Sequence, residues 1–164
     1  MLREFQTATL IAATLTTGLS AGLYYGFACA VIPGLRRSGD RTFVETMQRI
    51  NTAIINGWFM LLFVGSLVLT ATAAALQLVG DSGTAAAWTV AAFVLYTAVL
   101  IITMRFNVPL NNQLDAGGSS PGSATELAAL RAQFERPWAR WNVIRTVCNT
   151  AAFACLACAL VGLP

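Results

Sequence analysis

Four uninterrupted apolar runs constrain this chain more than any other feature. They extend from Thr7 to Ile32, Asn56 to Val79, Thr84 to Met104 and Trp141 to Leu163. Each is long enough to cross a bilayer, which takes about 20 apolar residues. The spacing predicts an all-α, four-span transmembrane bundle, one integral domain over residues 1–164, with long connections at 33–55 and 105–140. Arg3 ahead of the first run resembles the start of a signal peptide. The run outlasts the ~7–15 residues of a signal core, so a span is expected. Composition agrees: only 10% of residues are charged, against about 25% in soluble domains.

The ten basic residues are all arginine, and their placement is a topology signal. Arg36, Arg37, Arg41 and Arg49 lie between spans one and two. Arg105, Arg131, Arg136 and Arg140 lie between spans three and four, with Arg145 just inside the last. Only Arg3 falls on the other side. The positive-inside rule then predicts both termini outside and both long loops cytoplasmic, in a bacterial-type inner membrane. The net charge of +3 needs no nucleic-acid partner, and none is expected; the bilayer itself is the expected surroundings. Histidine is absent. That excludes imidazole-held haem or zinc and histidine triads; no metal or cofactor is expected.

Within span one, Gly18, Gly22 and Gly26 recur every four residues, with Thr14 and Ala30 extending the row. Small residues at this spacing admit a close helix neighbour. Packing within the chain is expected there, with a homo-oligomer seam or space for a flat ligand as the alternatives. Pro33-Gly34 is expected to end span one, Pro109 to end span three, and Pro137 to kink or break the helix leading into span four. Asp40 is expected to cap a helix that runs unbroken into span two, with Phe43, Met47, Ile50 and Ile54 toward lipid and Gln48, Asn51 and Ile55 toward the bundle; the opposite assignment is the alternative, if another subunit packs there. Arg41 and Glu45, and Glu45 and Arg49, are spaced to pair along it. The stretch Asp115 to Gly122 is rich in Gly and Ser and reads as a mobile loop. Ser123 and Glu126 form a capping-box pattern. Leu127, Leu130 and Phe134 then give the next helix an apolar side.

A short internal repeat is visible. Phe43 to Asn51 and Phe134 to Asn142 share a spacing, with Arg49 and Arg140 in register. Val31-Ile32-Pro33 precedes one copy and Asn107-Val108-Pro109 the other. The pattern predicts a parallel two-helix repeat placing Asn51 opposite Asn142; chance is the alternative.

The candidate chemistry gathers on span four. At 100° per residue, Trp138, Asn142, Arg145 and Asn149 share one helix face. A charge inside a span is costly, so Arg145 is either an interfacial anchor or a pocket wall. Two asparagines on its own face favour the wall. Asn51 and Gln48 join it on the cytoplasmic side. Trp138, Trp141, Trp58 and Tyr25 offer aromatic surface. Glu45 and Glu135 are the expected carboxylates at the mouth, as bases or as simple partners of arginines. Such a pocket suits a flat phenolic or quinone-like ligand. Cys155 and Cys158, inside a continuous apolar helix, are expected to be buried small side chains rather than a redox pair.

The runs IPGLRRSGDRTFVETMQRIN from Ile32, NVPLNNQL from Asn107 and FERPWARWNVIR from Phe134 resemble the small membrane family that includes the fungal anthrone oxygenases. The resemblance covers most of the chain. It implies a cofactor-free oxygenase that converts an anthrone to an anthraquinone with O2. A histidine-dependent step could not operate here. On that reading Arg145, Asn142, Asn51 and Asn107 hold a phenolate or enolate oxygen, and Trp138 and Trp141 stack on the ring. Gln48, Asn149, Tyr25 and Asn111 complete the substrate pocket. The competing expectation is a non-catalytic membrane protein that binds or carries a small hydrophobic molecule, or assists assembly.

Overall fold

A computed structural model describes residues 1–80, 83–117 and 123–162, and all its regular elements there are helical. Helix α1 (Leu2–Gly26) continues through a π-turn (Phe27–Val31) into α2 (Ile32–Arg36). Then come α3 (Asp40–Ala53), α4 (Gly57–Val79) and α5 (Thr84–Ile102). A second π-turn (Thr103–Asn107) leads into α6 (Val108–Ala116), and α7 (Ala124–Val161) closes the chain. Four continuous helical segments, Leu2–Arg36, Gly57–Val79, Thr84–Ala116 and Ala124–Val161, are long and apolar enough to cross a membrane. The protein is a multi-pass membrane bundle.

The spans pack in a ring in the order α1, α4, α5, α7. In the half away from the arginines, alanines make the seams. Ala13, Ala73, Ala85, Ala92, Ala152 and Ala159 are buried beside Leu10, Tyr96 and Leu156. Between lipid-embedded helices the attraction is largely van der Waals, so small side chains that bring backbones together do the holding. The glycine row does less than its spacing suggests. A Cβ on Gly18 would approach Phe153 to 2.9 Å, but Gly22 and Gly26 have nothing within 4 Å.

At the other end a second core forms a cap. Phe43, Val44 and Met47 of α3 pack with Leu114 of α6 and with Leu127, Phe134 and Trp138 of α7. The apolar side of α3 therefore faces protein, not lipid. This corrects the expected orientation; the partner surface came from α6 and α7, which composition alone did not place. Nor does α3 run into α4. The chain turns between them, and the Asn56 side chain caps α4 by accepting from the Phe59 N–H at 3.0 Å.

None of Pro33, Pro109 and Pro137 terminates its helix. Pro33 and Pro109 each fall two residues after a π-turn. In those turns the Ile32 and Val108 N–H groups donate to the Phe27 and Thr103 carbonyls, five residues back. The wider turn adds a residue just where proline has no N–H to give and would crowd the preceding turn. Its recurrence at one spacing in α1–α2 and α5–α6 is the clearest structural counterpart of the sequence repeat. Helix α7 passes through Pro137 unbroken. Gln133 and Pro137 are exposed, so water can satisfy the freed carbonyl. At about 1.5 Å per residue α7 is about 57 Å long, well beyond the hydrocarbon thickness. Its first half carries the cap.

The capping box at the start of α7 is formed: Glu126 N–H donates to Ser123 Oγ at 3.3 Å, and Ser123 N–H to Glu126 Oε2 at 3.0 Å. Asp40, expected to cap α3, instead accepts from Arg131 Nη1 at 3.0 Å. Arg131 also donates to Glu135 at 2.7 Å, and Glu135 accepts from Arg36 at 2.8 Å. These ion pairs tie α2, α3 and α7 together.

Candidate functional site

Arg145 is the centre of the site. It projects from α7 where the four spans meet the cap, and its residue surface is 6% exposed. Its Nε and Nη2 donate to Asn142 Oδ1 at 3.1 and 2.9 Å, and its Nη1 donates to Thr103 Oγ1 at 3.4 Å. The guanidinium lies over the Tyr24 ring at 4.2 Å and the Trp138 ring at 5.3 Å. Among the described residues no carboxylate forms an ion pair with it. A guanidinium has five N–H donors, and these contacts use three. Arg145 also helps to line a cavity of about 300 Å³.

The cavity lies between the arginine end of the bundle and the cap. Its walls are mostly apolar, with Phe27, Phe59, Phe63 and Trp138 among them. Polar groups enter from three elements. Asn107 ends the second π-turn, 1% exposed; its Nδ2 donates to the Trp138 carbonyl at 3.4 Å, and its Oδ1 has no partner. Asn111, one turn on in α6, accepts from Trp138 Nε1 at 2.7 Å. Asn51 of α3 donates to Asp115 Oδ1 at 3.3 Å. Asp115 is the one carboxylate that lines the cavity among the described residues.

The structure brings together five of the residues singled out on the sequence, Arg145, Asn51, Asn107, Asn111 and Trp138. Asn142 is behind the guanidinium: it orients Arg145 with Oδ1 and donates Nδ2 to the Tyr24 carbonyl at 3.2 Å. Asn51 lines the cavity and Asn142 does not, and each is held by its own partner.

Other expected residues lie elsewhere. Tyr25 points outward, 61% exposed, and its neighbour Tyr24 takes the inner position at 1%. Trp58 is 80% exposed. Trp141 stacks on Phe106 at 3.6 Å between centroids, outside the cavity. Gln48 donates to the Leu114 carbonyl at 2.8 Å and braces α3 against α6. Asn149, fully buried one turn deeper, donates to Ser20 Oγ at 2.9 Å. Glu45 pairs with Arg41 at 3.3 Å and Glu135 with Arg36 and Arg131, so neither serves the cavity. Burial pushes the Glu135 carboxyl up, but the hydrogen bonds and charges of Arg131 and Arg36 outweigh it and hold the group below the ordinary carboxylate range. Cys158 is exposed and Cys155 half-buried, so the pair is not the buried one expected.

Sequence reasoning missed Tyr24, Thr103 and Asp115. Tyr24 carried a signal. Leu10, Ala13, Thr17, Ser20 and Tyr24 recur every three or four residues as the buried stripe of α1, beside the glycine row that drew attention instead. Thr103 stands one turn before Asn107. Asp115 was assigned to the succeeding loop, but α6 extends to Ala116. The rest of that loop, residues 118–122, lies outside the described residues.

A model described as anthrone oxygenase matches residues 59–155, more than half of the chain. The match contains Arg145, Asn142, Thr103, Asn107 and Asp115, and stops short of Tyr24 and Asn51. No curated protein matches the chain, and no solved structure does. With the family model covering most of three of the four spans and most of the site, the chain belongs to the anthrone oxygenase family.

Proposed function

We propose that the protein is a cofactor-free oxygenase acting on a flat, phenolic or anthrone-type molecule bound beside Arg145. The observation that carries this is a buried guanidinium whose partners are all neutral, facing a largely apolar cavity. A buried cation without a counter-charge is costly, and a ligand oxyanion would supply the missing charge. Donors fixed where negative charge develops are the most effective form of catalytic electrostatics.

In the proposed reaction the substrate carbonyl points at Arg145, with Asn107 nearby. Asp115 removes a proton from the ring methylene opposite the carbonyl, held in place by Asn51. The electron pair moves onto the carbonyl oxygen as an enolate, which Arg145 stabilises. The enolate gives one electron to O2, and the radical pair recombines to a C–O bond. The peroxide takes the proton from Asp115. Loss of the remaining methylene proton with cleavage of the O–O bond gives a second carbonyl and water. One O2 is consumed, one oxygen atom entering the quinone and the other leaving as water. Phe59, Phe63 and Trp138 hold the ring plane. The family membership and the apolar cavity both support a hydrophobic tricyclic substrate. The arginine-rich end is proposed to face the cytoplasm.

Oxygen uptake by the purified protein tests this. An anthrone should be consumed with one O2 per molecule, above its spontaneous rate. Dihydroanthracene, which has the same ring frame without a carbonyl, should give none. Saturable binding of the anthrone without uptake above the spontaneous rate would leave a carrier in place of an enzyme.

A further inference from the structure

A second cleft, on the outer side of α7, has a built-in polarity. It lies between α7 and the cytoplasm-proximal end of the first span and has a volume of about 290 Å³. One wall carries Ala28, Ile32 and Arg36; the other carries Val143, Ala139, Arg140 and Arg136. The two helices run in opposite directions, so both walls read alike from the membrane interior outward. They begin with alanine, isoleucine or valine and end with arginine. Arg136, Ala139, Arg140 and Val143 follow the i, i+3, i+4, i+7 spacing of one helix face.

The arginines are not all neutralised. Arg36 is paired with Glu135, which also serves Arg131. Arg136 and Arg140 are exposed and form no ion pair among the described residues. A groove that is apolar at depth and cationic at the interface matches one kind of molecule, a lipid with a negatively charged phosphate headgroup. Juxtamembrane arginines attract such lipids, and basic pockets between spans hold their headgroups.

We infer that this cleft binds an anionic phospholipid, the phosphate between Arg136 and Arg140 and the upper acyl chain along Ala28, Ile32 and Val143. It is separate from the cavity that holds Arg145, and the inference does not rest on the oxygenase reading. No residue lines both, but both border α7. Asn142 touches the cleft with its residue surface and orients Arg145 with its amide oxygen.

The test is native mass spectrometry and thermal melting of protein purified in a neutral detergent. Probes are phosphatidylglycerol, phosphatidylcholine with the same acyl chains, and glycerol 1-phosphate, which has no chains. The wild type should retain phosphatidylglycerol over phosphatidylcholine, and glycerol 1-phosphate should not shift the melting temperature. Arg136→Gln with Arg140→Gln should weaken phosphatidylglycerol retention roughly 25-fold, about fivefold per guanidinium. Arg37→Gln with Arg49→Gln removes as much charge from the same end, outside the cleft, and should retain the lipid. Ala139→Trp fills the cleft with all charges intact and should also lose it. Melting in phosphatidylcholine alone reports whether each variant is folded. Equal retention by the two double variants would mean a diffuse surface field and would overturn the inference. So would equal stabilisation by glycerol 1-phosphate, which would mean a site for soluble phosphate, or undiminished retention by Ala139→Trp.

Discussion

Arg145 is where the residue-scale argument is sharpest, because its two roles predict different mutants. Lysine keeps the charge but not the planar fork of donors. In Arg145→Lys one ammonium nitrogen must serve Asn142, Thr103 and a ligand oxyanion, which the fork reaches from three separate nitrogens. Its kcat should fall about 10²–10³-fold, the cost of one oxyanion donor elsewhere, with little change in melting temperature. Arg145→Met removes a desolvated cation, which is favourable, and leaves Asn142 Oδ1 without its donors, which costs about 1–3 kcal/mol. It should fold and be inactive. Arg41→Lys, outside the cavity, is the control and should be silent. An Arg145→Lys enzyme with wild-type oxygen uptake would leave only the anchor role. The base makes a second prediction. Asp115→Asn keeps the side-chain volume and an oxygen for Asn51, but cannot take a proton. Its kcat should drop at least 100-fold, in the range of general-base deletions, with KM nearly unchanged. Steady-state oxygen uptake measures both parameters.

At the scale of elements, the two π-turns and the glycine row pull in different directions. The second π-turn turns Asn111 and Asp115 of α6 onto the cavity, because the added residue rotates the helix beyond it by about 100°. An ideal helix through Pro109 would turn those side chains elsewhere. The glycine row has an open side at Gly22. Within one chain, Gly22→Ala should therefore raise stability, by up to about 1 kcal/mol from helix propensity. Thermal melting beside size-exclusion chromatography decides the matter. A fall in stability together with loss of a dimer would show that a second copy packs on that face.

Over the whole molecule, the cap is fastened to the bundle by the Arg36, Glu135, Arg131 and Asp40 network, and that fastening is pH-dependent. The folded Glu135 carboxyl is held below its ordinary value by its arginine partners. Its contribution is therefore complete above the unfolded carboxylate pKa of about 4.3. It is lost as pH falls through the lower folded value. Melting temperature should decline below about pH 4.3, and Glu135→Gln should flatten that decline while lowering stability at pH 7 by roughly 1 kcal/mol. A decline of equal depth in the variant would assign it to other carboxylates. Orientation is the remaining prediction at this scale. In a background with Cys29, Cys148, Cys155 and Cys158 replaced by alanine, Ala124→Cys, at an exposed position, should resist a membrane-impermeant thiol reagent in intact cells. Thr84→Cys should react. The reverse pattern would put the arginines outside.

The sequence by itself determined the spans and the single face of α7 that carries Asn142, Arg145 and Asn149. Both are consequences of local chemistry. A bilayer demands long apolar helices whose backbone bonds close internally, and a polar stripe at helical spacing stays a stripe in any packing. The capping box at Ser123 was legible for the same reason, since all its partners lie within one turn. What only the tertiary structure decided depends on groups far apart in the chain. Tyr24, rather than Tyr25, lies under the guanidinium because α1 turns its Leu10–Ala13–Thr17–Ser20 stripe inward. Asp115 becomes the carboxylate of the cavity because α6 is extended by a π-turn and then held by Asn51 and Gln48 from α3. The apolar side of α3 faces protein because α6 and α7 supply a surface of Leu114, Leu127 and Phe134 to cover it. Periodicity says that a helix has two sides. Which side is inside is decided by the surfaces that the rest of the chain brings to meet it.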